Sequence, residues 1–139
     1  MSCDLVGSTH FKQTVPGWQK VFLSFYREFT QFIATANREV EGDSTEFTLW
    51  KAVGDELIYE VEVSDERQVG RAVRVWLLAM SQYEEQVLKM ENGSSLSLKG
   101  GAFIATFPGP DSESTIPRDP QFERSDGAVV LLNEAALDA

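Results

Sequence analysis

The sequence predicts an α+β fold, a mainly antiparallel sheet with helices on one face. Two observations carry that expectation. Two long segments repeat their apolar residues at threes and fours, and between them lie two β-prone runs that meet at Gly54-Asp55. Further β-prone runs stand before the first helical segment and after the second.

Taken in order, residues 1–5 read as the tail of a strand, closed by the turn Val6-Gly7-Ser8-Thr9. Only Met1, Ser2 and Cys3 precede Asp4, short of the about five to six residues of a usual strand. The sequence is therefore expected to begin inside an element of a longer protein. Trp18, Val21, Phe22, Phe25, Phe29, Phe32, Ile33 and Ala36 set out the aromatic-rich face of an amphipathic helix from about Trp18 to Glu39, ended by the polar run REVEGDSTE. Residues 47–53 and 57–63 form a hairpin with its tip at Gly54-Asp55. Val69, Ala72, Val73, Trp76, Leu77, Met80, Tyr83, Val87 and Met90 give a second helix, closed at Asn92-Gly93. The run LSLKGGAFIATF reads as a strand, bent or closely approached at Gly100-Gly101. PGPDSESTIPRDP holds four of the five prolines and is a loop. AVVLLNEAALDA is a short strand passing into a helix. Strand, helix, hairpin, helix, strand is the order of a ferredoxin-like fold, and residues 1–139 read as a single domain.

A chain of 139 residues can bury a core without disulfides or a structural metal, and its 42% hydrophobic and 24% charged residues are those of an ordinary globular domain. No apolar run is long enough to span a bilayer and no signal peptide is evident, so no membrane partner and a cytoplasmic location are expected. A lone cysteine, Cys3, agrees with a reducing compartment. The net charge of −10 argues against a nucleic-acid interface, which needs clustered Lys and Arg. An acidic protein still binds a small polyphosphate when metal ions sit between the two.

The predicted topology brings together two places far apart in the chain. Asp4 lies where the first strand ends, and Asp55 at the tip of a hairpin expected beside it. Two carboxylates at adjacent strand ends suit a hard divalent cation, which takes oxygen ligands and keeps waters and substrate phosphates. The turn Val6-Gly7-Ser8-Thr9 offers successive backbone N–H groups as a cradle for phosphate oxygens. Each piece alone also has a purely structural explanation. Asp4 and its turn can cap a helix, and Gly54-Asp55 is a common hairpin tip. Glu56 is expected to face solvent, Lys51 to guard an edge strand, and His10 to lie on the surface. Trp18, Trp50 and Trp76 serve as core or interface anchors, and Cys3 as a small buried residue.

As a pair, CDLVGST and WKAVGDELIY, separated by one long amphipathic helix, resemble the class III nucleotidyl cyclase catalytic domain. In that family an aspartate, a hydrophobic residue and Val-Gly-x-Thr supply the first metal ligand. A lysine four residues before the aspartate of a Gly-Asp pair supplies the base contact, and that aspartate the second ligand. The resemblance implies that Asp4 and Asp55, with the backbone of Leu5, hold two Mg²⁺ or Mn²⁺ ions per site. It implies that Leu5, Val6, Gly7, Ser8 and Thr9 hold the triphosphate, with Lys51 and its neighbour Trp50 at the base. A head-to-tail homodimer follows, one protomer giving the aspartates and the other Lys51. Ser8 and Trp50 make the chain most similar to the bacterial pyrimidine cyclases of Pycsar anti-phage defence. The product expected is then cyclic UMP from UTP, made for a separate effector. An adenylate cyclase making cyclic AMP and a non-catalytic ferredoxin-like regulatory or dimerisation module are the alternatives. Adenine-specific members pair the lysine with an aspartate on a later strand, and here none precedes Asp111. A diguanylate cyclase ranks lower, since the tip has one glycine too few and Leu57 in place of phenylalanine.

The tail departs from the family. Asn133-Glu134-Ala135-Ala136 echoes the motif that orients the ribose, but Leu137 occupies the place of the transition-state arginine and the spacing from Gly127 is too long. Either a segment is missing between the proline-rich loop and the tail, which is the expectation adopted here, or the chain is an inactive homologue. Arg118 and Arg124 are only candidates for the missing cation.

Overall fold

A computed structural model describes residues 1–90 and 95–105. The chain divides into two compact units, Met1–Phe103 and Ile104–Ala139, and every element below belongs to the first. The expected proline-rich loop, the last strand and helix, Asp111, Arg118, Arg124 and the Asn133 echo lie outside the described residues, as does the predicted helix stop at Asn92-Gly93.

Strand β1 is Ser2–Val6, followed by a short helix α1, Ser8–Thr14, and the long helix α2, Trp18–Glu39. The hairpin strands are β2, Phe47–Val53, and β3, Glu56–Val61; helix α3 is Glu66–Tyr83 and strand β4 is Ser97–Gly101. The four strands form one sheet in the order β2-β3-β1-β4, with every adjacent pair antiparallel. This α+β arrangement, a four-stranded antiparallel sheet with three helices, is compatible with a ferredoxin-like fold.

Alternation along the strands decides which face is covered. Cys3 and Leu5 of β1 and Leu57 and Tyr59 of β3 point to the helices and are buried. They meet Phe25, Phe29 and Ile33 of α2 and Val75, Trp76 and Ala79 of α3 in one core. Phe29 lies at its centre, with ring centroids 5.4 Å from Trp76 and 5.7 Å from Tyr83 in edge-to-face contact. Asp4, Glu56 and Lys99, paired across β3, β1 and β4, point to the opposite face. Among the described residues no helix covers that face.

The structure departs from the sequence expectations in several places, among them β4, which stops at Gly101 with residues 102–105 in no strand. Helix α1 was not expected, because its seven residues carry one core side chain, Phe11, and no period can be read from one turn and a half. Strand β3 starts at Glu56 and stops at Val61, since Phe47, the first residue of β2, pairs with Val61 and leaves residues 62 and 63 without a partner strand. Helix α3 begins earlier, at Glu66. The Asp65 side chain accepts from the Gln68 N–H (2.8 Å) and the Gln68 side chain accepts from the Ser64 N–H (2.7 Å), a reciprocal cap. After Tyr83 the helix passes into a π turn, Glu84–Leu88, with the Lys89 N–H donating to the Glu84 carbonyl (3.0 Å). The added residue shifts the helical phase. Leu88 turns into the core, and Met90, expected on the apolar face, is 78% exposed.

Candidate active site

Strand β1 delivers Asp4 to the end of the sheet at which the β2–β3 hairpin turns. Asp4 lies directly across from Glu56, and the Leu5 N–H donates to the Asp55 carbonyl (3.2 Å). The two aspartates far apart in the sequence are thus neighbours. Gly54, at φ 59°, makes the tip of the hairpin in the left-handed region that favours glycine. Around this end lies a groove of about 560 Å³, lined by Asp4, Asp55, Glu56 and Lys99, with Gly54 and Gly101 leaving it open.

The groove is strongly negative. Burial raises the Asp4 carboxyl above its ordinary range, and the carboxylates of Asp55 and Glu56 raise it further; Lys99 and the Leu5 amide act in the other direction. Glu56, expected to face solvent, is half buried beside Asp4. Its place follows from register: a side chain directly opposite Asp4 must share its face. Lys99 is the matching residue on β4, and sequence inspection gave it no role. Cys3, on the other face, is fully buried as expected, and burial and the charges of Asp4, Glu56 and Glu84 push its thiol well above the usual thiol range.

The turn after β1 holds two residues in different ways. Gly7 has φ 86°, and a Cβ there would lie 3.4 Å from the Ser95 carbonyl oxygen. The first-turn N–H groups of α1 have no acceptor within the helix, which leaves the amides after Gly7 open to an outside partner. Thr9 and Val6 are exposed, but Ser8 is buried. The Ser8 hydroxyl donates to Asp55 Oδ2 instead of facing out of the turn. A second hydroxyl reaches the same hairpin tip: Tyr26 of α2 donates to the Gly54 carbonyl. Burial and the Asp55 carboxylate both raise the Tyr26 phenol. Nothing in the sequence pattern singled out Tyr26, which sits at the edge of the aromatic stripe of α2.

Lys51 and Trp50 lie on β2, the edge strand. The pairing of β2 with β3 shifts between Leu49 and Lys51, so Trp50 is the extra residue of a bulge. Leu49 pairs with Tyr59, on the helix side, whereas Lys51 pairs with Ile58, on the side of Asp4. Without the bulge, strict alternation would return Lys51 to the helix side. The Lys51 ammonium lies 5.8 Å from the Trp50 ring centroid. Lys51 is exposed and is not among the residues lining the groove, so the structure brings Asp4, Asp55 and Ser8 together but leaves Lys51 and Trp50 two strands away. His10 is exposed, and Trp76 is a core residue.

No family model, no curated protein and no solved structure matches the chain, so its functional reading rests on the chemistry of this groove.

Proposed function

We propose that the chain is a nucleotidyl cyclase with the ferredoxin-like fold of the class III enzymes, converting a nucleoside triphosphate, UTP first among them, to the 3′,5′-cyclic monophosphate and pyrophosphate. The observation that carries this reading is the meeting of Asp4 and Asp55 at one end of the sheet, through the β1–β3 pairing. A cyclic UMP product fits a cytoplasmic second messenger read by a separate effector in anti-phage defence.

The donor set fits Mg²⁺ or Mn²⁺. Its carboxylates offer oxygen donors, and the crowding of Asp4 with Asp55 and Glu56 would be relieved by a divalent cation. Among the described residues no group of three or more His, Cys, Asp or Glu side chains could hold a metal ion by itself, so this site would need the substrate's phosphate oxygens to complete it. Two carboxylates and the Leu5 carbonyl would therefore leave positions for water and triphosphate oxygens, as a nucleotide-bound metal needs. Metal bound here supplies acidity to the ribose 3′-hydroxyl and charge to offset the departing pyrophosphate. The protein's own part is to hold: Asp4 and Asp55 fix the charge, and the amides after Gly7 receive phosphate oxygens. Lys51, turned by the bulge to the face of Asp4 yet outside its groove, and its neighbour Trp50 suit a base contact made to the site of a second protomer in a homodimer.

The test is incubation with each of UTP, CTP, ATP and GTP plus Mn²⁺, with the product identified by mass spectrometry. Cyclic UMP, lost in Asp4→Ala and Asp55→Ala, is the expected result; cyclic AMP from ATP would reassign the base. Leu137 in the place of the family arginine favours a non-catalytic ferredoxin-like regulatory or dimerisation module as the second reading. No product from any nucleotide, and no Mn²⁺-dependent binding of a non-hydrolysable analogue, would sink the cyclase reading in favour of that module.

A further inference from the structure

We propose that Ser8 and Tyr26 form a two-point hydroxyl clamp that fixes the hairpin tip, and with it the Asp55 carboxylate, against the end of β1. Both are positioning residues for Asp55. The consequence for metal rests on the cyclase reading above; the clamp itself does not.

The tip needs such a device. Among the described residues strand β2 is the edge of the sheet, and Ala52, Val53 and Gly54 are exposed, so β2 itself contributes no core side chain at the tip and the nearest core anchor is Leu57 of β3. Like charges also push it outward, since Glu56 lies directly across from Asp4 and Asp55 beside its neighbour Leu5. Three donors from three elements oppose that tendency. The Leu5 N–H of β1 bonds the Asp55 carbonyl at 3.2 Å, the Ser8 hydroxyl of α1 bonds Asp55 Oδ2, and the Tyr26 hydroxyl of α2 bonds the Gly54 carbonyl. The Asp55 backbone is thereby keyed to Leu5, next to Asp4, and its side chain to Ser8.

Each hydroxyl is suited to its part. Ser8 is buried, so its hydroxyl requires a partner, and a carboxylate gives it a charge-assisted bond. That bond occupies Oδ2 and leaves Oδ1 for a metal. Tyr26 follows Phe25, which is fully buried against Phe29 and Tyr83 at centroid distances of 5.5 and 5.6 Å, so the phenol is carried on a rigid stretch of α2. Outer groups that orient a metal ligand change metal affinity by about 10–100-fold when removed.

The test uses the whole chain, with Ser8→Ala, Ser8→Thr, Tyr26→Phe and the double variant Ser8→Ala/Tyr26→Phe. Three quantities are read: the Kd for Mn²⁺ alone, amide exchange at Leu5 and residues 53–57 in metal-free protein, and the melting temperature. The clamp predicts faster exchange at the tip in Ser8→Ala and Tyr26→Phe, with the double variant fastest. It also predicts Mn²⁺ binding weaker by about 10–100-fold in Ser8→Ala, a smaller loss in Tyr26→Phe, and near wild-type affinity in Ser8→Thr, which keeps the hydroxyl. Unchanged exchange in both single variants would overturn the clamp. So would a loss of affinity that only follows a general fall in melting temperature. If wild type itself shows no Asp4- and Asp55-dependent Mn²⁺ binding, the cyclase reading fails, and exchange alone then decides the clamp.

Discussion

Replacing Arg71 with methionine is expected to remove about 3–4 kcal/mol of stability. Arg71 is buried on α3, and its guanidinium makes five hydrogen bonds to neutral oxygens. Nε donates to the Glu41 carbonyl (3.2 Å), Nη1 to Asn37 Oδ1 (2.6 Å) and Thr45 Oγ1 (3.1 Å), and Nη2 to the carbonyls of Asn37 (2.7 Å) and Val40 (3.0 Å). The side chain thus caps the end of α2 from a neighbouring helix and ties it to the approach to β2. Bonds from a charged donor are worth about 1.5–3 kcal/mol each. The three backbone acceptors lie at a partly exposed helix end, where water replaces most of what is lost. The two side-chain acceptors lie beside the buried Thr45, and losing both bonds gives about 3–6 kcal/mol; the lower part of that range applies because Asn37 Oδ1 keeps the Thr45 N–H (3.3 Å). Methionine keeps most of the aliphatic volume, so the loss is polar in origin. Equilibrium unfolding in urea, with the m-value unchanged, reads the difference. Arg71→Lys, with three donors in place of five, should fall between wild type and Arg71→Met. A loss below about 1 kcal/mol in Arg71→Met would show that the network contributes little and refute the reasoning.

Three further outcomes follow from the same structure. Because the folded state raises the Asp4 carboxyl, ionising it weakens the fold, and that contribution is lost as pH rises from the ordinary carboxylate range through the raised value. Metal-free Asp4→Asn should therefore melt above wild type at pH 7, with the gap closing on acidification; a variant that melts lower at pH 7 would contradict the assignment. At Gly100 a Cβ would lie 2.7 Å from Met80 Sδ and 3.2 Å from Trp76 Nε1, so Gly100→Val should cost about 1–3 kcal/mol in urea unfolding. Relief of most of that cost by a second change, Met80→Ala, would confirm the contact, and a neutral Gly100→Val would disprove it. If Lys51 reads the base of a partner's nucleotide, specific activity should fall as the protein is diluted below its dimer dissociation constant; constant activity through that range would refute the shared site.

The long amphipathic helix was legible to the residue, because 22 residues of strict period leave little freedom in phase or ends. The hairpin and its tip were equally plain, and the nearness of Asp4 to Asp55 followed from element order alone. What stayed hidden depends on single-residue departures from a period. The bulge at Trp50 decides which face Lys51 takes, and the π turn after Tyr83 exchanges Leu88 for Met90 in the core, yet neither inserts a residue that looks out of place. Hydroxyl contacts such as those of Ser8 and Tyr26 have no period at all. The start of α3 is written in a different signal from its period: Asp65 followed three residues later by Gln68 is a capping pattern, whereas apolar spacing first becomes regular at Val69. Glu56 and Lys99 could be placed beside Asp4 only once the strand register was known.

The split order of the sheet has a consequence for how the groove comes into being. Hairpin β2–β3 and the turns of α2 and α3 are local in the chain, but β3 must slot in beside β1 to bring Ser8 to Asp55, a closure across 47 residues. Such long-range pairing carries a loop-closure cost that the local hairpin and helix turns do not, exceeded among the described strands by the β1–β4 pairing, and the aromatic core supports it. A chain that has collapsed without completing this pairing holds one aspartate on each of two unconnected pieces. The pairing of the two carboxylates, and with it the proposed metal site, is thus coupled to the finished sheet, and a nascent or misfolded copy lacks it.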